Sequence, residues 1–498
     1  MHLRRIVFGA ERSRRGDGDP EEKRGKEEAT KVSPIHASYI IVVSVKPIFG
    51  LFVLSVFAAS AQTDAAHVLA HDILQQLIGI NTTDSVGDNT AAARAMAKRF
   101  LDAGFPPADV QLLVPAGRPN KGNLVVRLHG PANTTLKPIL IIGHLDVVEA
   151  RREDWTTDPF QLVEKDGYFY GRGTQDMKSE DALLVATFIR FKQEHYQPDR
   201  DLILALTSDE EGGTANGVDW LLKNHRPLID AEFVLNADAG GVDTDKGKPV
   251  AVRVSATEKV YADFQLTVTN PGGHSSRPVP DNAIYHLADA LGRLEHSPFP
   301  FELNAVTREY FKGLNVDPAA PQVSADPFYN AMVHTTCVAT RLSAGHANNA
   351  LPQTAQAVVN CRILPGHSPE EIRRELIRKL GDPKVTVGYI DTLTGKVLDA
   401  APDHAGPPPS TPLTTVMRPL EKIADQLWPG APVVVGMSAG ASDSKYTLAA
   451  GMPSFGIGEV AIDRDDDRAH GKDERLRVTS FYQAEDFFYQ FLRSLTTP

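Results

Sequence analysis

The chain has 498 residues, 63 acidic against 52 basic side chains, a formal net charge of −11, and 42% hydrophobic and 23% charged residues. That length allows two or three domains and a large core, and the composition is that of an ordinary globular protein. The acidic balance, with no dense basic stripe in the globular part, argues against a nucleic-acid partner.

Residues 1–36 mix charges without an apolar period, which predicts disorder. The run YIIVVSVKPIFGLFVLSVFAASAQ follows. Lys46, the apolar core IFGLFVLSVFA and the small-x-small end Ala59-Ser60-Ala61 have the layout of a secretory signal. A membrane anchor is the other reading of this stretch. Lys46 and Pro47 interrupt it, which favours a signal over residues 45–61. The expectation is a secreted or periplasmic protein with no stable membrane insertion after cleavage. The charged prefix is unusual ahead of a signal and suggests a translation start further down, near Val45.

Helical apolar spacing runs over TDAAHVLAHDILQQLI and again over TAAARAMAKRFLDAG, which stops at Gly104. Strand-length apolar runs then alternate with helical ones. NLVVRLHG and PILIIGHLD precede a helix over SEDALLVATFIRFKQEH; DLILALTSDEE precedes a helix over GVDWLLKNH; AEFVLNADAG follows. This order predicts a mainly parallel sheet with helices on both faces.

The pattern changes near residue 258. YADFQLTVTN alternates, with Ala262, Phe264, Leu266 and Val268 on one face. PDNAIYHLADALGRLE is amphipathic, with Ile284, Leu287, Leu291 and Leu294 in register. Two alternating runs, TTCVATRLSAG and AQAVVNCRILPG, come next, after the long loop FELNAVTREYFKGLNVDPAAPQVSADPFYN. A helix opens at Ser368-Pro369-Glu370-Glu371, a strong start signal, and KVTVGYI is a further strand. The segment is a smaller α+β unit of ferredoxin-like order, inserted into the first domain. After the proline-rich APDHAGPPPSTP, a helix over LTTVMRPLEKIADQL, the strands PVVVG and PSFGIG, and a helix from Ser480 complete the large domain. The expected divisions are 1–61, 62–257, 258–395 and 396–498. Cys337 and Cys361 read as two small buried side chains, with pairing open in an oxidising compartment.

The strand ends carry the chemistry. PILIIGHLD ends at His144 and Asp146, LILALTSDEE at Glu210 and Glu211, FVLNAD at Asp238. Ligands of an open parallel sheet bind outside the carboxyl ends of its strands. GRGTQDMK adds Asp176 on a glycine-rich turn, and AHGKDE adds His470. Imidazoles with carboxylates and no thiolates suit Zn²⁺, or Co²⁺ or Mn²⁺. Two histidines and three carboxylates exceed one tetrahedral ion and suit two ions roughly 3.5–4 Å apart. In an extended chain positions i and i+2 share a side, so the Asp146 carboxylate is expected to hold the far nitrogen of His144.

GHLDVV, GRGTQDMK, SDEEGG, NAD, GGHSS, NNALP and a late HG, in this order, resemble the M20 metallopeptidases of the aminoacylase/carboxypeptidase type over about residues 65–495. The resemblance implies two divalent ions, with Zn²⁺ the first choice, bridged by Asp176. His144 and Asp238 would complete one site, Glu211 and His470 the other. Glu210 would be the general base, its proton passing to the leaving nitrogen. It also implies a cis peptide after Asp176. His274 in GGHSS would polarise the scissile carbonyl, reaching the partner's site in dimeric members, so a homodimer through the inserted unit is implied. Asn349 and Arg362 match positions that hold a substrate carboxylate. Ser179 departs from the glycine common after DMK, and the long loop departs from compact members.

Taken singly, each residue has an ordinary explanation: a helix cap for Asp176, a solvated acidic pair for Glu210 and Glu211, a surface position for His470. Ser442 and Asp443 in GASDSKY fit either the pocket or a plain turn, and His225, His286, His334 and His404 read as structural. Jointly the motifs predict a two-metal hydrolase of amide bonds in short peptides or N-acyl amino acids. The alternatives are an M28-type aminopeptidase, whose kind lacks the inserted unit, and a peptide-binding relative without catalysis.

Overall fold

The structure is a computed structural model that describes residues 65–392 and 394–497. The expected prefix and signal segment, residues 1–61, lie outside the described residues. Among the described residues no helix is long and apolar enough to cross a membrane.

A ten-stranded sheet forms the main layer. At its centre Ile139–His144 pairs in parallel with Leu202–Thr207 on one side and Phe233–Asn236 on the other, and Ser454–Gly456 extends the parallel set. Side chains alternate between two apolar cores. Ile139 and Ile141 face one, Leu140 and Ile142 the other, and Leu204 and Ile203 repeat this on the neighbouring strand. The long helices Lys178–Gln193 and Val478–Leu495 cover the first face, and Gly217–Asn224 covers the second. Burial on both faces is why these strands read as unbroken apolar runs.

The centre is thus mainly parallel, as expected, and the flanks are antiparallel in part. Asn123–Leu128 is antiparallel to Leu202–Thr207, and Gly241–Asp245 forms a hairpin with Lys248–Glu258. Its two-residue turn, Lys246 at φ 50° and Gly247 at φ 76°, has the double positive φ of the tight hairpin turns. Val433–Ser438 pairs in parallel with Lys248–Glu258.

A second, five-stranded antiparallel sheet runs in the order Thr336–Ala344, Thr354–Ile363, Val260–Thr269, Thr386–Ile390, Val397–Leu398. Helices Ala283–Glu295 and Pro369–Leu380 pack with it around a separate core containing Phe264, Leu266, Val359 and Leu376. Ser368 caps the second helix as expected, accepting from the Glu371 backbone while Glu371 reaches back to the Ser368 N–H. The first helix is rotated from its expected register: Ala283, Leu287, Ala290 and Leu294 are buried and Ile284 is exposed. Two alanines thus belong to the inward face, where small side chains let the helix approach the sheet. The segment 301–330 is not a plain loop. It forms helices Ala305–Gly313, Pro321–Ala325 and Pro327–Val333, with Tyr310 and Phe311 packed in a core that includes Val434.

Cys337 and Cys361 are joined in a disulfide, facing each other on adjacent antiparallel strands. This replaces the first reading of two free buried side chains. The bridge closes a loop with a sequence separation of 24, and constraint of the unfolded chain by a loop of that size stabilises by roughly 3 kcal/mol. Replacing both cysteines by alanine should therefore lower the denaturant midpoint of the transition that reports the smaller sheet. An unchanged midpoint would show that the bridge contributes nothing.

Candidate metal centre

Strand Ile139–His144 delivers the His144 ring into the protein with 1% exposure. Its Nδ1 is held by the backbone carbonyl of Asp146 at 3.0 Å, while the Asp146 carboxylate is 3.8 Å away. The expected side-chain contact is thus corrected. The chain turns after His144, bringing the carbonyl to the ring, and the Asp146 carboxylate accepts instead from the backbone N–H of Glu210 at 3.2 Å and Glu211 at 2.9 Å. Asp146 therefore fixes the turn that carries both glutamates. Gly213, at φ 93°, closes the same turn, where a Cβ would lie 2.3 Å from the Asp209 carboxylate.

Asp176 is on the turn before helix Lys178–Gln193, which has no side-chain cap, so its carboxylate is not spent on the helix. The Asp176–Met177 peptide is cis. The two carboxylate oxygens of Asp176 face different histidines, Oδ1 at 3.1 Å from His144 Nε2 and Oδ2 at 3.0 Å from His470 Nε2. Asp238 Oδ1 is 3.5 Å from His144 Nε2, and Glu211 is 3.0 Å from His470 Nε2. Donor atoms of His144, Glu210 and Asp238 lie within 4.8 Å of one another, as do those of His144, Asp176 and Glu211. Six side chains from five chain segments thus converge. Glu210 is as close to the cluster as the expected ligands.

Charge balance tests whether cations fit. Buried His144 Nε2 and Asp176 Oδ1 face each other without a hydrogen-bond partner. Burial, with the Asp176 charge nearby and against the pull of the histidines, holds the Glu211 carboxyl up at about 7 and the Asp238 carboxyl up at about 6. Burial, then the Asp238 charge, holds Glu210 well above the carboxylate range. Burial opposes ionisation of Asp176 too, but the adjacent His144 and His470 imidazoles outweigh it and hold that carboxyl low. His470 is raised to about 10 by its bonds to Asp176 and Glu211. Four carboxylates therefore compete for two imidazoles. Hard and borderline divalent cations, which take oxygen and imidazole donors, suit this set.

The cluster opens on a cavity of about 1260 Å³ whose lining includes Arg362 and Tyr261 from the five-stranded sheet. Ser442 lines it as well and donates to Glu258 at 2.6 Å, whereas Asp443 is tied to Asn216 at 2.6 Å. His404, expected to be structural, also lines the cavity. His274 and Asn349 do not line it. They are neighbours of each other, since Gly273–His274 pairs with Ala350–Leu351 and the Ser275 N–H donates to the Asn349 carbonyl at 3.1 Å. Both are exposed, and His274 Nδ1 accepts from the Ser276 N–H at 3.1 Å.

One residue of the site was missed in the sequence. Glu474 is fully buried and accepts from the backbone N–H groups of Gly173, Gln175 and Asp176, at 3.1, 2.6 and 3.2 Å. Arg172 pairs with it at 2.5 Å. It orders the turn that presents Asp176. Nothing local signals this, because its partners lie about 300 positions away.

An open α/β sheet that gathers two histidines and four carboxylates at its carboxyl edge is the architecture of a metal-dependent hydrolase. The model of peptidase family M20/M25/M40 matches residues 140–494, and the chain belongs to this family of metallopeptidases. A carboxypeptidase S-like protein of Dictyostelium discoideum is 30% identical over 72% of each chain. The N-fatty-acyl-amino acid synthase/hydrolase PM20D1 of Mus musculus is 25% identical over 87% of this chain and 89% of its own. Among solved structures, an M20 family metallo-carboxypeptidase of Sulfolobus solfataricus superposes with a TM-score of 0.66 at 18% identity, covering 86% of this chain and 99% of its own. The Bacillus subtilis YXEP protein, a dinuclear metal-binding peptidase of the family, gives a TM-score of 0.54 at 12% identity, over 87% of this chain and 98% of its own. Membership in M20 sets the M28 alternative aside.

If Glu474 positions the Asp176 turn, Glu474→Gln should weaken metal binding about 10–100-fold with the fold retained. Titration of apoprotein with Zn²⁺, followed by calorimetry, reads this. Parent-like affinity would show that the turn holds without it.

Proposed function

We propose that the chain hydrolyses the amide bond of a short peptide or an N-acyl amino acid with a free carboxylate, using two divalent ions, Zn²⁺ by first choice. The observation that carries this reading is the pair of Asp176 carboxylate oxygens aimed at two different histidines, with Glu210 beside them. His144 and Asp238 would hold one ion, Glu211 and His470 the other, and Asp176 both. When bound, such ions supply Lewis acidity and lower the pKa of water.

Glu210 handles the proton. It stands beside His144 and Asp238 and is left out of the proposed ligand set, so it would take a proton from the attacking water and return it to the leaving nitrogen. Asp146 holds the Glu210 backbone, which fixes the base relative to His144. Arg362 lies across the cavity and suits the substrate carboxylate. The five-stranded sheet would act as a lid, with hinges near residues 257–260 and 395–405.

Exposed His274 and Asn349 fit a role in a second copy rather than in their own cavity. Thr336–Ala344 is an edge strand whose outer residues Val338 and Leu342 are 61% and 68% exposed. An open apolar edge of this kind favours strand pairing with a second copy. The disulfide supports an oxidising compartment, in line with export directed by residues 45–61.

Glu210→Gln should retain two metals per chain and lose about 10²–10⁴-fold in turnover. Turnover at the parent rate would contradict the base assignment, and hydrolysis that survives complete chelation would contradict the metal role. Light scattering should give twice the chain mass for the mature protein and one chain mass for Leu342→Lys. A monomeric parent would contradict the edge-strand dimer. A mature N-terminus upstream of residue 45 would contradict the export reading.

A further inference from the structure

This inference rests on the amide-hydrolysis reading and concerns the cavity wall formed by the smaller sheet. Lys259 lies between strands Lys248–Glu258 and Val260–Thr269, where the chain passes from one sheet to the other. Its side chain is buried, with 1% exposure, yet it lines the cavity. Its Nζ donates to Thr336 Oγ1 at 3.2 Å, a neutral partner.

Arg362 stands beside it. Thr336, Arg362 and Tyr261 face one another across three adjacent strands. The guanidinium lies over the Tyr261 ring, 4.7 Å from its centroid. The next residue pair along, Cys337 with Cys361, carries the disulfide, so the row is tied in place. Among the described residues no carboxylate forms a salt bridge with Lys259 or Arg362. The nearby Asp263 accepts from Tyr261 Oη at 2.6 Å and from Asn360 Nδ2 at 2.8 Å. Burial and the neighbouring guanidinium pull the Lys259 ammonium down to about 7.

A buried ammonium without a counter-ion is costly, and a second cation beside it raises the cost. An incoming anion removes both penalties. Elsewhere on the cavity wall stand Asp176, Glu210, Glu211 and Asp238, whose charge the metal ions of the amide-hydrolysis reading would balance, which leaves Lys259 and Arg362 as cations open to an anion. These two cations therefore orient a substrate that carries a carboxylate.

We propose that Lys259, as a second cation beside Arg362, is a specificity-determining residue that makes the enzyme select free carboxylates over carboxamides. Lys259 touches no reacting group, so its loss acts on binding rather than on the chemical step.

The test uses metal-loaded mature protein and a panel of dipeptides and N-acetyl amino acids, each paired with its C-terminal carboxamide. The parent should prefer the carboxylates. Lys259→Met should raise KM for the carboxylates about 10–100-fold, the loss expected for one charge-assisted hydrogen bond, with kcat nearly unchanged. It should leave the carboxamides unaffected, and Lys259→Arg should restore much of the preference. A parent indifferent to the carboxylate, or a Lys259→Met variant that loses kcat equally on both series while Lys259→Arg behaves like it, would overturn this role of Lys259 and leave amide hydrolysis standing. A parent that hydrolyses no member would overturn the functional reading, and the role of Lys259 with it.

Discussion

The structure depends on an excess of negative charge held where a protein can least easily hold it. Four carboxylates and two imidazoles meet at the carboxyl edge of a buried sheet, and burial raises Glu210, Glu211 and Asp238 against ionisation. Such a cluster persists in a folded chain when cations balance it. Much of the surrounding architecture serves to hold these groups in place. Asp146 uses its carbonyl to orient His144 and its carboxylate to fix the turn bearing the glutamates. Glu474 spends its carboxylate on the backbone of the Asp176 turn and on Arg172. Each is a buried acid converted into a positioning device by backbone donors.

The smaller sheet supplies the opposite sign. Its polar surface presents Arg362 to the cavity, with Lys259 at the junction between the sheets, while its other face packs on two helices. The same cavity is thus lined by the four carboxylates of the metal centre and by Arg362 of the small sheet, with Lys259 between the two sheets. Under the proposed function, carboxylate recognition and metal binding would fall to different structural units, and movement between them would join or separate the two.

The sequence revealed the centre better than its surroundings, for a physical reason. A strand buried on both faces is a continuous apolar run, and a charged residue that ends such a run stands out: His144, Glu210, Glu211 and Asp238 were legible in this way. Asp176 and His470 stand out less, since a turn and a charged loop carry no such contrast, and their separate roles as ligands came only with the resemblance. The i to i+2 rule put Asp146 on the correct side of the strand, but it could not tell a carbonyl from a carboxylate. Helix periodicity preferred Ile284 because it counts large apolar residues, whereas the packed face uses Ala283 and Ala290. The segment 301–330 looked like a loop, although the Asn304–Thr307 capping box and the prolines at 321 and 327 are local helix starts. Glu474 and Lys259 stayed hidden because their meaning lies in contacts far away along the chain.

The central claim is that Asp176 lies between two cations. Anomalous diffraction from crystals of the zinc-loaded protein, recorded at the metal edge, tests it directly. The account predicts two peaks about 3.5–4 Å apart with one Asp176 oxygen on each. A single peak, or two peaks that Asp176 does not join, would contradict it.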